Sequence, residues 1–550
     1  MTTTKLMNPS IEEPSILKRS PLVRFVRWLF IPRILGRLLF ALLTLATLIV
    51  VYYNEERWRG KQEWQRYKAE MAAKGRSLDF AAFIPPKVPD EQNFAMTPFL
   101  SPLYDFLPGT QTPRDSNAVA QIVKRNESTT VLARKLGFKM GRLGRWELGE
   151  KTDLITLLGA NRHSRPTNQA TNAPQRARPA TQEQAAEIIL DLLRQTYDPV
   201  LDELRVASQR PKCRFGVKYD NVPPVAIVLP HLAIVKGIVT KLAWRAEAEL
   251  VLGRTNQAFE DLMLGLYVSD TVKGEAVLIS ELVNIACRAI LTPVIWDGMA
   301  GHEWSDAQLQ RLQTALEKDD FTQDAQRALR GERAAFAVQM MEQVIAKEGN
   351  FSLDDLLAEN TENNNRAKPL QRLVPTGWLY FETINLCRGY ESFTAPVDDW
   401  RSSKLDMKGF LGALEQADER SLPVWKAVWQ HEVLCRLLLP AVGRVQHKSL
   451  LAQARSDQIR VACALERHYL AQGSYPEKLE VLTPKFIQKL PLDIMSGRPL
   501  IYRRESPQSY VVYSVGKNLV DDGGKVVLAN ARNVSPYVEA GDWVWRLPGK

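Results

Sequence analysis

The hydrophobic pattern changes character several times along the chain, and the first change is the sharpest. Residues 38–53 (LLFALLTLATLIVVYY) are 16 uncharged, mostly aliphatic positions in a row. A bilayer core asks for about 20 residues of helix. Counting back to Ile34 and letting Arg37 reach the headgroups recovers that length. Tyr52 and Tyr53 close the run, where an interfacial aromatic pair belongs. No small-residue cleavage site follows, so residues 34–54 read as an uncleaved transmembrane signal anchor rather than a removed signal peptide.

Beyond it the pattern becomes polar and helical. Residues 55–74 are rich in Glu, Lys, Arg, Gln and Ala with Trp58, Trp64 and Tyr67, and should continue the helix outward as a stalk ended by Gly75. The prolines of residues 84–89 (IPPKVP) force extended backbone. Residues 90–180 show weak periodicity, and 161–179 form a polar, Pro-containing linker. A helical body begins with the capping-box pattern at Thr181 and Gln184. Apolar stripes follow through Val235, Ile238, Val239, Leu242, Ala246 and Leu250, then through Ile279, Leu282, Val283, Ala286 and Ile290. Gly253 ends one helix, and Ser305 with Gln308 caps another. The pair within 246–264 resembles one tetratricopeptide unit without recurring at that period, so the body reads as an irregular antiparallel helical array. Residues 359–365 (ENTENNN) are a loop, 374–390 lead into a helix, and Pro440 separates two later helices. The expected fold class is mainly α: a single transmembrane helix, the helical array and a small C-terminal α+β module with a β-hairpin. The divisions are 1–33 (basic tail), 34–54 (anchor), 55–180 (stalk and linker), 181–447 (helical body) and 448–550 (α+β module and C-terminal tail).

Charge refines the topology. Of the net +10, half lies in residues 1–37, where seven cations face Glu12 and Glu13. Anionic headgroups account for that basicity. The folded part lacks the strong basic excess of a nucleic-acid binder, so no nucleic-acid partner is expected. Arg24 and Arg27 among Phe25, Trp28, Leu29 and Phe30 suit a short helix lying in the headgroup plane. Six basic residues from Lys18 to Arg37 precede the span and five from Arg57 to Lys68 follow it. This bias places the tail in the cytoplasm and the bulk outside. The expected partners are the bilayer, through residues 34–54, and other proteins. Cys213, Cys287, Cys387, Cys435 and Cys463 are scattered, with no CxxC, and read as buried thiols used as small hydrophobes; one disulfide stays open.

After Lys448 a more specific pattern appears. A helix runs to Gly473, followed by Tyr475-Pro476. Leu490-Pro491, Asp493, Gly497, Pro499 and Tyr502-Arg503 come next, then Tyr510, Tyr513-Ser514, Gly516 and Gly524. Residues 500–504 and 510–515 alternate as a hairpin. This order resembles the globular end of the major pseudopilins of type II secretion. There a long helix leads to an xGxYP turn, an LPxDPxxGxPxxYR segment and a YxxYSxGxDGxxGG loop. The resemblance covers residues 462–524, roughly an eighth of the chain. It departs at Ile494, which stands where the family has Pro, and at residues 516–519 (GKNL). The family's cleaved leader and N-terminal methylated helix have no counterpart here. The resemblance implies calcium binding by the loop after the hairpin, through Asp521 and Asp522 with Asn518, although Lys517 and Lys525 oppose it. No other cofactor is expected. The chain also resembles a group of uncharacterised bacterial signal-anchored envelope proteins. These share the segment at residues 83–100 (FIPPKVPDEQNFAMTPFL), a helical body and the same C-terminal module, and the resemblance implies a bacterial inner (cytoplasmic) membrane.

Catalytic motifs are absent at the sequence level. His431-Glu432 opens like a zinc-protease helix, but Cys435 stands where the second His is required. His231, after Pro230, reads as a helix-start cap, and His302 as loop structure. His163, His447 and His468 have no motif, and Glu332 and Glu342 have no identifiable partner. The expected function is non-enzymatic: an envelope protein presenting a helical body for protein contacts. An accessory component of a secretion or pilus-like system, or an envelope hydrolase, are the alternatives.

Overall fold

The computed structural model describes residues 32–160, 178–219, 224–346, 375–397, 407–419, 424–528 and 536–548. The basic tail up to residue 31, nearly all of the 161–179 linker with His163, and the 359–365 loop lie outside the described residues.

The chain is mainly helical. Helix α1 (Pro32–Ala73) opens it, followed by short 3-10 turns between residues 80 and 104. Helix α2 (Ser116–Lys135) leads into a two-stranded ribbon of β1 (Phe138–Met140) and β2 (Leu158–Ala160). The body then runs through α3 (Gln182–Thr196), α4 (Asp198–Ala207), α5 (His231–Val251), α6 (Thr255–Asp270), α7 (Leu278–Ala300), α8 (Asp306–Leu316) and α9 (Phe321–Glu332). A π-helical stretch, Arg333–Met340, carries α9 on to Ala346. Next come α10 (Thr376–Thr394), α11 (Met407–Glu419), α12 (Val424–Gln430) and the 40-residue α13 (Val433–Gln472). Strands β3 (Ile501–Ser506), β4 (Ser509–Ser514), β5 (Val526–Leu528), β6 (Pro536–Gly541) and β7 (Trp543–Leu547) complete it.

Local chemistry accounts for many of the boundaries. The Thr181 hydroxyl accepts the Gln184 N–H, and Ser305 and Gln308 form a reciprocal capping box. Gly253, at φ 70°, makes the turn between α5 and α6 without a Cβ penalty. Pro440, expected to break a helix, lies inside α13. The break falls earlier, at His431, whose φ of 54° is left-handed. The reason is tertiary. Asn385 Nδ2 donates to the carbonyls of Gln430 and His431, and the Glu382 carboxylate accepts the N–H groups of Val433 and Leu434. These contacts satisfy the orphan groups of both helix ends there.

Helix α1 has two halves. From Leu39 to Val51 its apolar side chains are exposed, and this helix is long and apolar enough to cross a membrane. Helix α7 passes the same length and composition test, but half of its most apolar window is buried and it serves as a core helix. The second half of α1 continues the helix outward to Ala73, as the stalk reading expects, but it packs into the body. Glu56, Gly60, Trp64, Tyr67 and Met71 form a buried stripe at helical spacing against α10. The two backbones touch at glycines: a Cβ on Gly60 would lie 2.5 Å from the Gly377 carbonyl oxygen.

The region 80–160 is likewise part of the body. Phe80, Phe94, Leu100, Leu103, Phe138, Trp146 and Leu157 belong to one core that runs through α3–α8 and reaches Leu547. Asn93 ties this segment down, accepting the Arg214 N–H at 2.8 Å and donating to the Arg214 carbonyl at 2.9 Å. The C-terminal module is continuous with the same core. Its sheet has the order β3-β4-β7, all antiparallel, with Tyr510 opposite Leu547 and Ser514 opposite Trp543. The central strand β4 is buried on both faces. Tyr510 and Val512 point to the main core with Trp545, while Val511, Tyr513 and Val544 form a separate small cluster. Trp296 of α7 donates to the Arg546 carbonyl at 2.9 Å, and Gln458 of α13 donates to the Trp543 carbonyl at 2.6 Å. The boundary expected at 447–448 falls inside α13.

Candidate functional site

The loop after β4 carries the three residues singled out for calcium. Asp521 Oδ1 accepts the Tyr513 hydroxyl at 3.0 Å and the Gly523 N–H at 2.9 Å. Asn518 donates its amide to Asp522 Oδ2 at 2.9 Å, and its oxygen accepts the Val520 N–H. The structure adds Asp542, a buried carboxylate whose two oxygens accept the N–H groups of Asp522 and Gly524. Burial raises the pKa of Asp542, and those backbone N–H groups work against the rise. In this arrangement the polar atoms serve the loop's own turns. Among the described residues no group of three or more His, Cys, Asp or Glu is placed to hold a metal. Two loop carboxylates and one amide are few ligands for a six-to-eight-oxygen cage.

Asp493 of the Leu-Pro-x-Asp pattern has a structural place. Its oxygens accept the Met495 N–H at 3.1 Å and the Ser496 hydroxyl at 2.7 Å, which folds the 493–497 turn. This turn lines a groove of about 1080 Å³ between α13 and the module, with Asp457, Arg460 and Asp521 along it.

A second cavity, of about 210 Å³, opens between α7, α13 and the α8–α9 junction. Its walls are Leu266, Ile295, Leu316, Phe321, Leu451 and Ile459, with Arg288, Asp319, Lys448, Arg455 and Ser456 as the polar groups. Arg288 and Lys273 both bridge Asp270 and Asp319, and Ser456 donates to Asp319 at 2.9 Å. Arg455 pairs with Glu147 at 3.0 Å. The carboxylates lie far apart in sequence, and only the folded helices assemble the network. Two nearby cations hold Asp270 below the ordinary carboxylate range against the opposing pull of its burial.

Three buried polar clusters lie outside these cavities. Thr152 bridges a carboxyl pair: its N–H donates to Asp297 at 3.0 Å and its hydroxyl to Glu247 at 3.2 Å. Burial and the neighbouring Asp297 raise the pKa of Glu247 well above its ordinary value, and burial raises that of Asp297 as well. His231, expected as a helix cap, makes no cap hydrogen bond. It is fully buried, with Nδ1 on the Tyr104 hydroxyl and Nε2 3.0 Å from Glu275. His302 has a left-handed φ of 57° and sets Nδ1 2.6 Å from Glu466, whose other oxygen accepts the Tyr475 hydroxyl at 2.7 Å. That chain joins the α7–α8 turn to the module's Gly-x-Tyr-Pro turn.

These clusters pair residues separated by up to 164 positions, and no local motif marks them. Only the capping pattern at Ser305 and the Tyr475-Pro476 turn pointed near one. Comparison with family models, curated proteins and solved structures returns no match to this chain.

Proposed function

We infer that this is a single-pass, membrane-anchored protein of the bacterial envelope that presents its helical body for contacts with other proteins. One observation carries the reading: α1 is a single helix whose first half exposes a continuous apolar surface and whose second half is built into the core. An apolar surface of that length is costly in water and favourable in lipid. A helix shared between bilayer and core fixes the body to the membrane with no flexible joint between them. The charge bias of the flanks supports a cytoplasmic tail and a body outside the cytoplasm.

A second reading, an accessory component of a secretion or pilus-like machine, is supported by the run of α13 into the Gly473–Pro476 turn and then a three-stranded antiparallel sheet. Photo-crosslinking tests the leading reading. A photoreactive residue is placed in the full-length protein at Val206 or Ile279, both exposed. Discrete adducts with a fixed set of envelope proteins are expected. Turnover of a cell-wall substrate by the purified chain, with no discrete adduct at either position, would overturn it.

A further inference from the structure

The point where α1 enters the body lies very close to the end of its apolar run. Glu56, the first buried residue of the second half, is three positions beyond Tyr53 and so about 4.5 Å further along the axis. Gly60 is about 10 Å beyond Tyr53 by the same rise. The headgroup layer on each face of a bilayer is about 5–8 Å thick. The body therefore begins at headgroup depth.

Helix α10 starts at this same level and runs away from it beside α1, and α13 starts five residues further along α10 and runs beside it. Gly377, at the start of α10, meets the backbone of Glu56, while Arg388 lies over the Tyr67 ring and Glu391 pairs with Arg76. Glu382 caps the start of α13, and Gly389 meets Leu439. The end of the body that faces the membrane carries tryptophan. Trp58 is 65% exposed on α1, and Trp429 is 68% exposed at the end of α12. The Trp429 ring lies 6.1 Å from that of Trp378, the residue after Gly377. Arg57, Arg59 and Lys61 are exposed on the same turns of α1, with Arg59 also pairing with Glu56 at 2.9 Å. Indole rings with neighbouring cations are the side chains that favour an interface of acyl carbonyls and phosphates.

We propose that this end of the body is a lipid-binding face, seated in the headgroup layer with Trp58, Trp378 and Trp429 in the interface and Lys61 on anionic headgroups. The inference rests on α1 spanning the membrane. Its occupant is the bilayer that holds α1, because the face is continuous with the span. Such seating fixes the height and tilt of the body, and leaves the module, at the far end of a helix about 60 Å long, free to meet partners.

Depth-dependent fluorescence quenching tests this. The full-length protein is placed in nanodiscs of phosphatidylcholine and phosphatidylglycerol containing 5-doxyl phosphatidylcholine. A thiol-reactive fluorophore is attached in turn at Leu45→Cys in the span, Trp429→Cys on the face and Val481→Cys beyond α13. The parent protein, with four of its five thiols buried, sets the background. Trp58→Cys gives an independent second reading of the face. The proposal expects quenching of about twofold or more at 45, 429 and 58, and none at 481. Quenching at 45 with 429 and 58 as dark to the quencher as 481 would overturn the lipid-binding face and leave the anchor standing. No quenching at 45 would overturn the anchor itself, and the proposal with it.

Discussion

The docking of α1 on α10 depends on two glycines, and one methyl group is enough to test it. A Cβ on Gly377 would sit 2.3 Å from the carbonyl carbon and oxygen of Glu56 and 2.6 Å from the Arg57 nitrogen. Ordinary contact begins near 3.4 Å, so the helices would have to part by about 1 Å. Backbone atoms cannot rotate away as a flexible side chain would. Overpacking of this kind costs about 1–3 kcal/mol, and backbone contact places Gly377→Ala at the upper end. The gain in helix propensity offsets up to about 1 kcal/mol. The net expectation is a loss of about 2 kcal/mol, seen as a lower melting temperature of the full-length protein in detergent. Faster proteolysis within residues 55–75 should accompany it. Gly412→Ala is the control, because nothing lies within 4 Å of its Cβ position; that variant should be neutral or more stable. If Gly377→Ala melts at or above the parent temperature, alongside Gly412→Ala, the second half of α1 is not packed as described.

Further expectations concern buried groups. Burial lifts the Glu332 pKa from 4.5 to about 7, so the folded form holds its proton more tightly than the unfolded chain. Stability is therefore lost as pH rises from 4.5 to 7, by about 1–3 kcal/mol from this group. Glu332→Gln keeps an acceptor for the Leu278 N–H and should raise the melting temperature at pH 8 but not at pH 4.5; an equal change at both would contradict the assignment. Tyr475→Phe removes one donor from the buried Glu466 and should cost about 2 kcal/mol in denaturant melts. A loss below about 0.5 kcal/mol would show that the relay does not hold the module. All five cysteines are free thiols and four are buried, with the Cys287 pKa pushed up to about 12 by burial. A thiol reagent at pH 8 should titrate no more than Cys213 in the native protein and all five after unfolding.

The sequence was most legible where one local signal decides the structure. The apolar run of α1, Gly253, the Ser305 capping box and the alternation of β3 and β4 all belong to that kind. Pro440 misled because a helix tolerates proline when neighbouring helices support it, and Asn385 and Glu382 make 430–433 the better place to stop. Helix α2 was missed because it buries little: Ile122, Thr129 and Ala133 make a faint stripe. Strand β7 lies past the 516–524 loop, and only its ladder with β4 gives it a partner. The candidate sites were the least legible. Of the loop residues, Asn518 meets Asp522, but Asp521 bonds Tyr513 and Gly523 instead, and Asp542 arrives from 20 positions away. Arg288, Asp319 and Ser456 are brought together by three separate elements. Long-range pairings of this sort leave no periodicity to read.

The central claim is an anchored body outside the cytoplasm, and protease protection tests it most directly. Full-length protein is digested in sealed intact spheroplasts and in sealed inverted inner-membrane vesicles, and separate membrane samples are extracted with alkaline carbonate. The account predicts membrane retention, digestion of the body only in spheroplasts, and cleavage of the 1–31 tail only in inverted vesicles. Release by carbonate, or digestion of the body only in inverted vesicles, would contradict it.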